Sequence, residues 1–73
     1  MVKQLSGNAR RARFGEDAVR QSPDYEYNDE AASLADTLAN LMHWSDRQGI
    51  NFLEAYSQAC DHYQYETLNP EGV

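Results

Sequence analysis

The chain has 73 residues, and three missing features limit the classes of protein to which it can belong: a second cysteine, a long apolar run and a secretory signal. Cys60 is its only cysteine, so no disulfide can form within the chain and a reducing compartment is expected. No apolar run approaches the roughly 20 residues that a membrane-spanning helix needs. Residues 1–15 are basic, but no apolar segment follows them, so we expect no secretory signal and a cytoplasmic protein.

The sequence also lacks the motifs of common catalytic sites. It contains no glycine-rich phosphate loop and no glycine-flanked nucleophile turn. A hard cation such as magnesium needs several convergent oxygens, and no dense pair of E-x-x-E motifs supplies them. The available carboxylates are scattered over Glu26, Glu30, Asp36, Asp46, Glu54 and Asp61. We therefore predict that the chain is not an enzyme and has no cofactor; an oligomeric metal-dependent hydrolase is the most distant alternative.

One short region concentrates the residues that bind transition metals. His43 and Asp46 are three residues apart, and His62 follows Cys60 and Asp61. A zinc site needs three or four convergent ligands. The spacing instead predicts that Cys60 is buried in an apolar helix face and that both histidines lie at the surface or at its rim. We expect no metal site here.

Helical periodicity predicts an all-α fold. A capping residue, Asn28 or Asp29, precedes a helix at about 29–48, and Gly49 stands where a left-handed residue ends a helix. Asn51 caps a second helix at about 52–66. The short connection predicts an antiparallel helical hairpin whose two apolar faces meet. Those faces comprise Ala31, Leu34, Ala35, Leu38, Leu41 and Met42 in the first helix and Phe52, Tyr56, Ala59, Cys60 and Tyr63 in the second.

The rest of the chain gives weaker signals. A helix at about 9–21 is predicted with Asn8 as its cap, although Gly15 disfavours it. Residues 22–28 form a tyrosine-bearing acidic linker, and residues 1–8 and 67–73 are expected to be flexible. So short a chain allows one domain, residues 1–73, with a marginal core of its own. We therefore expect a homodimer.

Charge is distributed unevenly along the chain. Residues 1–21 carry five basic and two acidic side chains, whereas residues 22–73 carry one basic and ten acidic side chains. The favoured interpretation is that the basic segment folds against its own acidic body or that of a second copy. The alternative is a small nucleic-acid-associated regulator whose Arg10, Arg11 and Arg13 contact the phosphate backbone, although the acidic body would repel phosphate.

Aromatic residues exceed what a small core requires. Trp44 falls at the edge of the apolar face of the first hairpin helix. Three tyrosines lie outside both predicted apolar faces: Tyr25, Tyr27 and Tyr65. Tyrosine and tryptophan dominate the energetics of protein interfaces. With the outward-facing acidic Asp61, these residues are the candidate protein-binding set, and a protein partner is the expected ligand.

The segment "LADTLANLMHWSDRQGINFLEAYSQACDHYQYE", residues 34–66, resembles a pattern in small uncharacterised proteins of bacterial mobile elements and phages. In these proteins a leucine-rich helix ending in "LMHW" precedes a "GI-F-EA" turn and a helix that closes on "HY". The resemblance implies a helical hairpin and a mobile-element or phage setting, and it assigns no catalytic residue. In that setting an inhibitor of host defence is an admissible function.

Overall fold

The computed structural model describes residues 7–71, which form three α-helices: α1 (Gly7–Arg20), α2 (Glu30–Gln48) and α3 (Phe52–Leu68). No strand occurs in this range, and the all-α prediction is confirmed. The helices begin or end within two residues of the predicted positions. Of the two segments expected to be flexible, 1–8 and 67–73, residues 1–6 and 72–73 lie outside the described range.

The ends of α2 are closed by the residues that the sequence predicts. Of the two candidate caps, Asp29 is the N-cap, and its carboxylate accepts a hydrogen bond from the Ala32 N–H at 3.0 Å. Gly49 adopts the left-handed conformation with φ 70°, which glycine reaches without the steric cost that a Cβ imposes. The N–H of Ile50 then donates to the Ser45 carbonyl at 2.9 Å, which terminates the helix.

The second helix of the hairpin starts immediately after this turn. The Asn51 side chain accepts a hydrogen bond from the Glu54 N–H at 3.2 Å, so the predicted cap is confirmed. Only Gly49, Ile50 and Asn51 separate α2 from α3. Met42 of α2 and Phe52 of α3 line a common surface depression beside the turn. Depressions farther along α3 are lined by α3 alone or by α3 and α1.

Helix α1 spans the open end of the hairpin. At its N-terminus the N–H of Asn8 donates to the Pro70 carbonyl at 2.9 Å, and Arg11 forms an ion pair with Glu66 of α3 at 3.4 Å. At its C-terminus Arg20 lies 3.9 Å from Glu30 of α2. Because an α-helix rises 1.5 Å per residue, the twelve steps from Asn8 to Arg20 extend about 18 Å. The far ends of α2 and α3 are therefore held apart by α1.

Asn8 is not the N-cap of α1 that the sequence predicts. It lies inside α1, and its side-chain amide donates to the Glu66 carbonyl at 2.7 Å while its oxygen accepts from Arg11 at 2.7 Å. The same amide chemistry that favours helix caps here joins two helices that are distant in sequence. The sequence pattern could not distinguish these uses, because the partner carbonyl lies 58 residues away.

The connection between α1 and α2 is fixed to α2 by polar contacts. Ser33 is almost completely buried, and its hydroxyl accepts from the Glu26 N–H at 2.8 Å and lies 3.0 Å from the Asp29 carbonyl. About two helical turns farther along α2, the Asn40 side chain donates a hydrogen bond to the Asp24 carboxylate at 3.0 Å. The linker thus follows one side of α2.

The predicted burial of the two apolar faces is wrong for the single chain. Within residues 7–71 no apolar side chain is buried, and the buried polar side chains are Ser33 and Ser45. The chain exposes 6408 Å², whereas a compact protein of 8.3 kDa exposes about 4,600 Å². Its radius of gyration is 14.4 Å, against about 11 Å for a compact chain of this length. In this arrangement α1 lies between the far ends of the two faces, and the faces do not pack against each other there.

No helix in the described part of the chain is both long enough and apolar enough to cross a membrane.

Two glycines of α1 allow a matched test of how α1 contacts the C-terminal segment. A Cβ added at Gly7 would lie 2.9 Å from backbone atoms of Pro70 and Glu71, whereas a Cβ at Gly15 would meet nothing within 4 Å. We expect Gly15→Ala to stabilise the fold by about 0.5–1 kcal/mol through helix propensity. Gly7→Ala should instead lower the melting temperature in thermal unfolding followed by circular dichroism. Equal stabilisation by both variants would contradict the close approach.

The two buried serines provide a second matched pair. Ser33→Ala removes the acceptor of the Glu26 N–H, so we expect a loss of about 1–2 kcal/mol in the free energy of unfolding. The Ser45 hydroxyl only donates back to the Leu41 carbonyl of its own helix, so Ser45→Ala should change stability by less than about 0.5 kcal/mol. Urea unfolding measures both values, and a Ser33→Ala variant as stable as Ser45→Ala would show that the linker contact contributes nothing.

Candidate protein-binding surfaces

Two apolar helix faces, one on α2 and one on α3, meet beside the Gly49 turn. We call the two together the open face and define it by Leu34, Leu38, Leu41 and Met42 of α2 with Phe52, Tyr56, Cys60 and Tyr63 of α3. Helical spacing of three and four residues places each set on one side of its helix. Leu34 shares a depression with residues of α1, Met42 shares one with Phe52, and Tyr63 shares one with α1.

The side chains of the open face are accessible to a partner. The α2 members Leu34, Leu38 and Leu41 keep 50%, 41% and 47% of their surface in water. On α3, Tyr56 and Tyr63 are 57% and 69% exposed. The open face consists of aliphatic and aromatic side chains with two tyrosine hydroxyl groups and one thiol.

Cys60 is exposed, which corrects the prediction that it is a buried core residue. The reason is again the separation of the helices, since the depression beside Cys60 is lined by α3 residues only. A hydrogen bond with the Cys60 side chain, and then the charge of that thiol when ionised, raises the pKa of Tyr56 above its usual 10.0. Tyr56 therefore stays neutral throughout the physiological range.

Trp44 lies outside the open face. Trp44 lies on the side of α2 that the linker follows, because it continues the series Ser33, Thr37 and Asn40 in steps of three and four residues. Its side chain is 55% exposed. A half-exposed tryptophan gives a partner a large, rigid apolar contact at little entropic cost.

The two linker tyrosines have different surroundings. Tyr25 is half-buried: the Arg20 guanidinium lies 5.6 Å from its ring centroid, and its hydroxyl lies 3.5 Å from the Glu30 carboxylate. Tyr25 is thus engaged by its own chain. Tyr27 is 76% exposed and is the more accessible of the two.

Asp61 and Tyr65 lie one turn apart on α3. Asp61 stands at the rim of the open face, in the depression beside Cys60. Asp61 and Tyr65 are both exposed, Tyr65 by 59%. The predicted binding residues therefore divide into groups on different elements: Tyr27 in the linker, Trp44 on α2, and Asp61 with Tyr65 on α3.

The three arginines of the nucleic-acid alternative do not act as one group. Arg11 is directed toward α3, where it pairs with Glu66. Arg10 and Arg13 are exposed on the opposite side of α1 and form no ion pair with another residue of the described range. Two arginines, rather than three, are therefore available to an external anion.

The described residues contain no group of three histidine, cysteine or carboxylate side chains that could hold a metal ion. His43, His62 and Asp46 are exposed, as is Cys60.

The sequence pattern correctly selected the residues of the open face but assigned them to a core. Because they were assigned to a core, three leucines were not recognised as candidate binding residues: Leu34, Leu38 and Leu41. A usable signal was present in the chain length, because a chain of 73 residues has little capacity to cover two apolar helix faces by itself.

Comparison with known proteins adds no relative: no protein-family model, no curated sequence and no solved structure matches this chain.

Proposed function

We propose that the chain is a non-enzymatic protein-binding domain that regulates or inhibits its partner. The observation that supports this function is the exposure of Trp44, Tyr27 and Tyr65, three aromatic side chains outside the open face. Each of them is more than half exposed, and they supply the side chains that contribute most to protein interfaces.

The charge of the body indicates the kind of surface that this domain would meet. Residues 22–73 carry ten carboxylates and one arginine. Such a body attracts a basic surface and speeds its association, and it repels acidic proteins. The proposed partner is therefore a protein with a basic binding site, contacted by Trp44 together with Asp61 and Tyr65.

The resemblance of residues 34–66 to proteins of mobile elements and phages supports a biological setting for this proposal. In a bacterial cytoplasm, a small acidic protein of such an element can act by occupying the basic site of a host defence protein. This setting rests on the sequence resemblance alone.

Affinity capture with substituted chains tests the proposal. We expect Trp44→Ala and Tyr65→Ala to weaken binding of the dominant captured protein by about 30-fold each, the effect of losing an interface residue worth about 2 kcal/mol. Phe14→Ala is the matched control, because Phe14 is 63% exposed but lies on α1, away from the candidate residues.

Binding is measured by titration of the purified partner, and circular dichroism verifies that each variant keeps its helices. Equal loss in all three variants, or capture that none of them changes, would contradict the proposed surface. Weakening of the interaction at high salt should accompany the acidic-body contact.

Nucleic-acid binding remains the second candidate, favoured by the outward position of Arg10 and Arg13. Replacing both with alanine should abolish a salt-sensitive gel shift and leave α1 in place, because neither residue contacts α2 or α3 through an ion pair within the described range. Arg11 is left unchanged because its loss would break the contact with Glu66.

Arg47→Ala provides the control for this measurement, since Arg47 is an exposed arginine at the end of α2. A shift of the unmodified protein at low salt that survives Arg47→Ala and disappears in the Arg10 and Arg13 double variant supports the nucleic-acid function. A protein that produces no shift at low salt has no such function.

A further inference from the structure

We infer that the open face is the interface of a homodimer, in which a second copy of this chain covers the inner sides of α2 and α3. This inference concerns a surface other than the outward residues of the proposed function. It commits to one occupant, and three properties of the described residues support that choice: the size of the uncovered area, the neutrality of the face and the way in which α1 keeps it open.

The uncovered area matches what a dimer of this kind needs. The chain exposes about 1,800 Å² more than a compact protein of its mass. Obligate homodimers bury about 2,000–5,000 Å² in total, which is about 1,000–2,500 Å² from each chain. The surplus belongs to the chain as a whole, and the half-exposed leucines and tyrosines of the open face contribute to it. It is of the size that subunits folding only as a pair bury against each other.

The charge of the open face suits a copy of the same chain. In a two-fold interface each residue lies near the equivalent surface of the partner, so a charged face would oppose like charges. The net charge is −6, and the eight members of the open face are all uncharged residue types. Asp36 of α2 and Glu54 of α3 project from the opposite sides of their helices. Asp46 and Asp61 stand at the rim, where they line the depressions beside Phe52 and Cys60.

The neutral face also distinguishes a second copy from the partner in the proposed function. A basic partner is attracted by the outward carboxylates, and leucines and tyrosines without charge add nothing to that attraction. The residues best suited to the open face are other leucine and tyrosine side chains. An identical chain supplies them wherever this protein is made.

The positions of α1 explain why one chain cannot close the face by itself. Contacts with Glu66 and Pro70 at one end and with Glu30 at the other fix α1 between the far ends of α3 and α2. The hairpin can close on itself only if these contacts break. With α1 in place, the apolar side chains of another chain must fill the space.

Sedimentation equilibrium and thermal melting of the full chain test the inference. We expect a mass of twice 8.3 kDa at tens of micromolar concentration. Because dimer dissociation and unfolding are then linked, a tenfold dilution should lower the melting temperature by about 4 °C. A single-chain mass at this concentration overturns the inference, whether or not the melt is cooperative.

A matched pair of substitutions locates the interface. Leu38→Arg places a charge in the middle of the open face, and we expect it to abolish the double mass and the dependence of melting on concentration. Leu68→Arg is the control: Leu68 is 81% exposed at the end of α3 and is not a member of the face, so the variant should remain a dimer. Loss of the dimer in both variants, or in neither, contradicts the assigned surface.

A measurement on the unsubstituted chain stays informative where Leu38→Arg fails to fold. In a one-to-one mixture of isotope-labelled and unlabelled protein, filtered NOEs should connect open-face residues of different copies. A dimer whose intermolecular NOEs arise only from other residues overturns the inference.

The result is separable from that of the proposed function, because Trp44 lies outside the face. A dimer that captures no partner through Trp44 contradicts the proposed function alone. A monomer whose partner binding depends on Trp44 contradicts the dimer alone.

Discussion

The contacts at the two ends of α1 determine the arrangement of the rest of the molecule. At one end Asn8 and Arg11 join α1 to the last turn of α3, and at the other Arg20 lies beside Glu30 of α2. Each is a polar contact at a partly exposed position, of the kind that contributes modestly to stability. Together they set the distance between the free ends of the hairpin. The exposure of the open face follows from that distance rather than from the composition of the helices.

Local features of the fold could be predicted, because their causes lie within a few residues. Asp29 and Asn51 accept hydrogen bonds from N–H groups three residues later, and Gly49 takes the left-handed conformation that its place after a helix requires. The helix type follows from the three-and-four spacing of the apolar residues. These signals identify the elements and their ends to within two residues.

Burial could not be predicted, because it depends on contacts between distant residues. The pattern that marks Leu34, Leu38 and Cys60 as members of apolar faces is the same whether the face packs within one chain or is left for another. In this chain the position of α1 leaves the face exposed. The weak apolar pattern of α1 gives no indication of its contacts with α3. Asn8 illustrates the difficulty, since its amide satisfies a carbonyl 58 residues away instead of capping its own helix. The candidate binding residues outside the face are exposed, apart from the half-buried Tyr25.

The pairing of Asn8 with Glu66 also has a consequence for synthesis of the chain. A ribosome makes α1 before α3, and the carbonyl that accepts from Asn8 is added 58 residues later. Docking of α1 on α3 must therefore wait until Glu66 has left the exit tunnel, while α2 and its Gly49 turn can form earlier from neighbouring residues. Closing a loop of this length costs conformational entropy before any contact compensates for it. Docking of α1 on α3 is thus expected to follow formation of the α2–α3 turn.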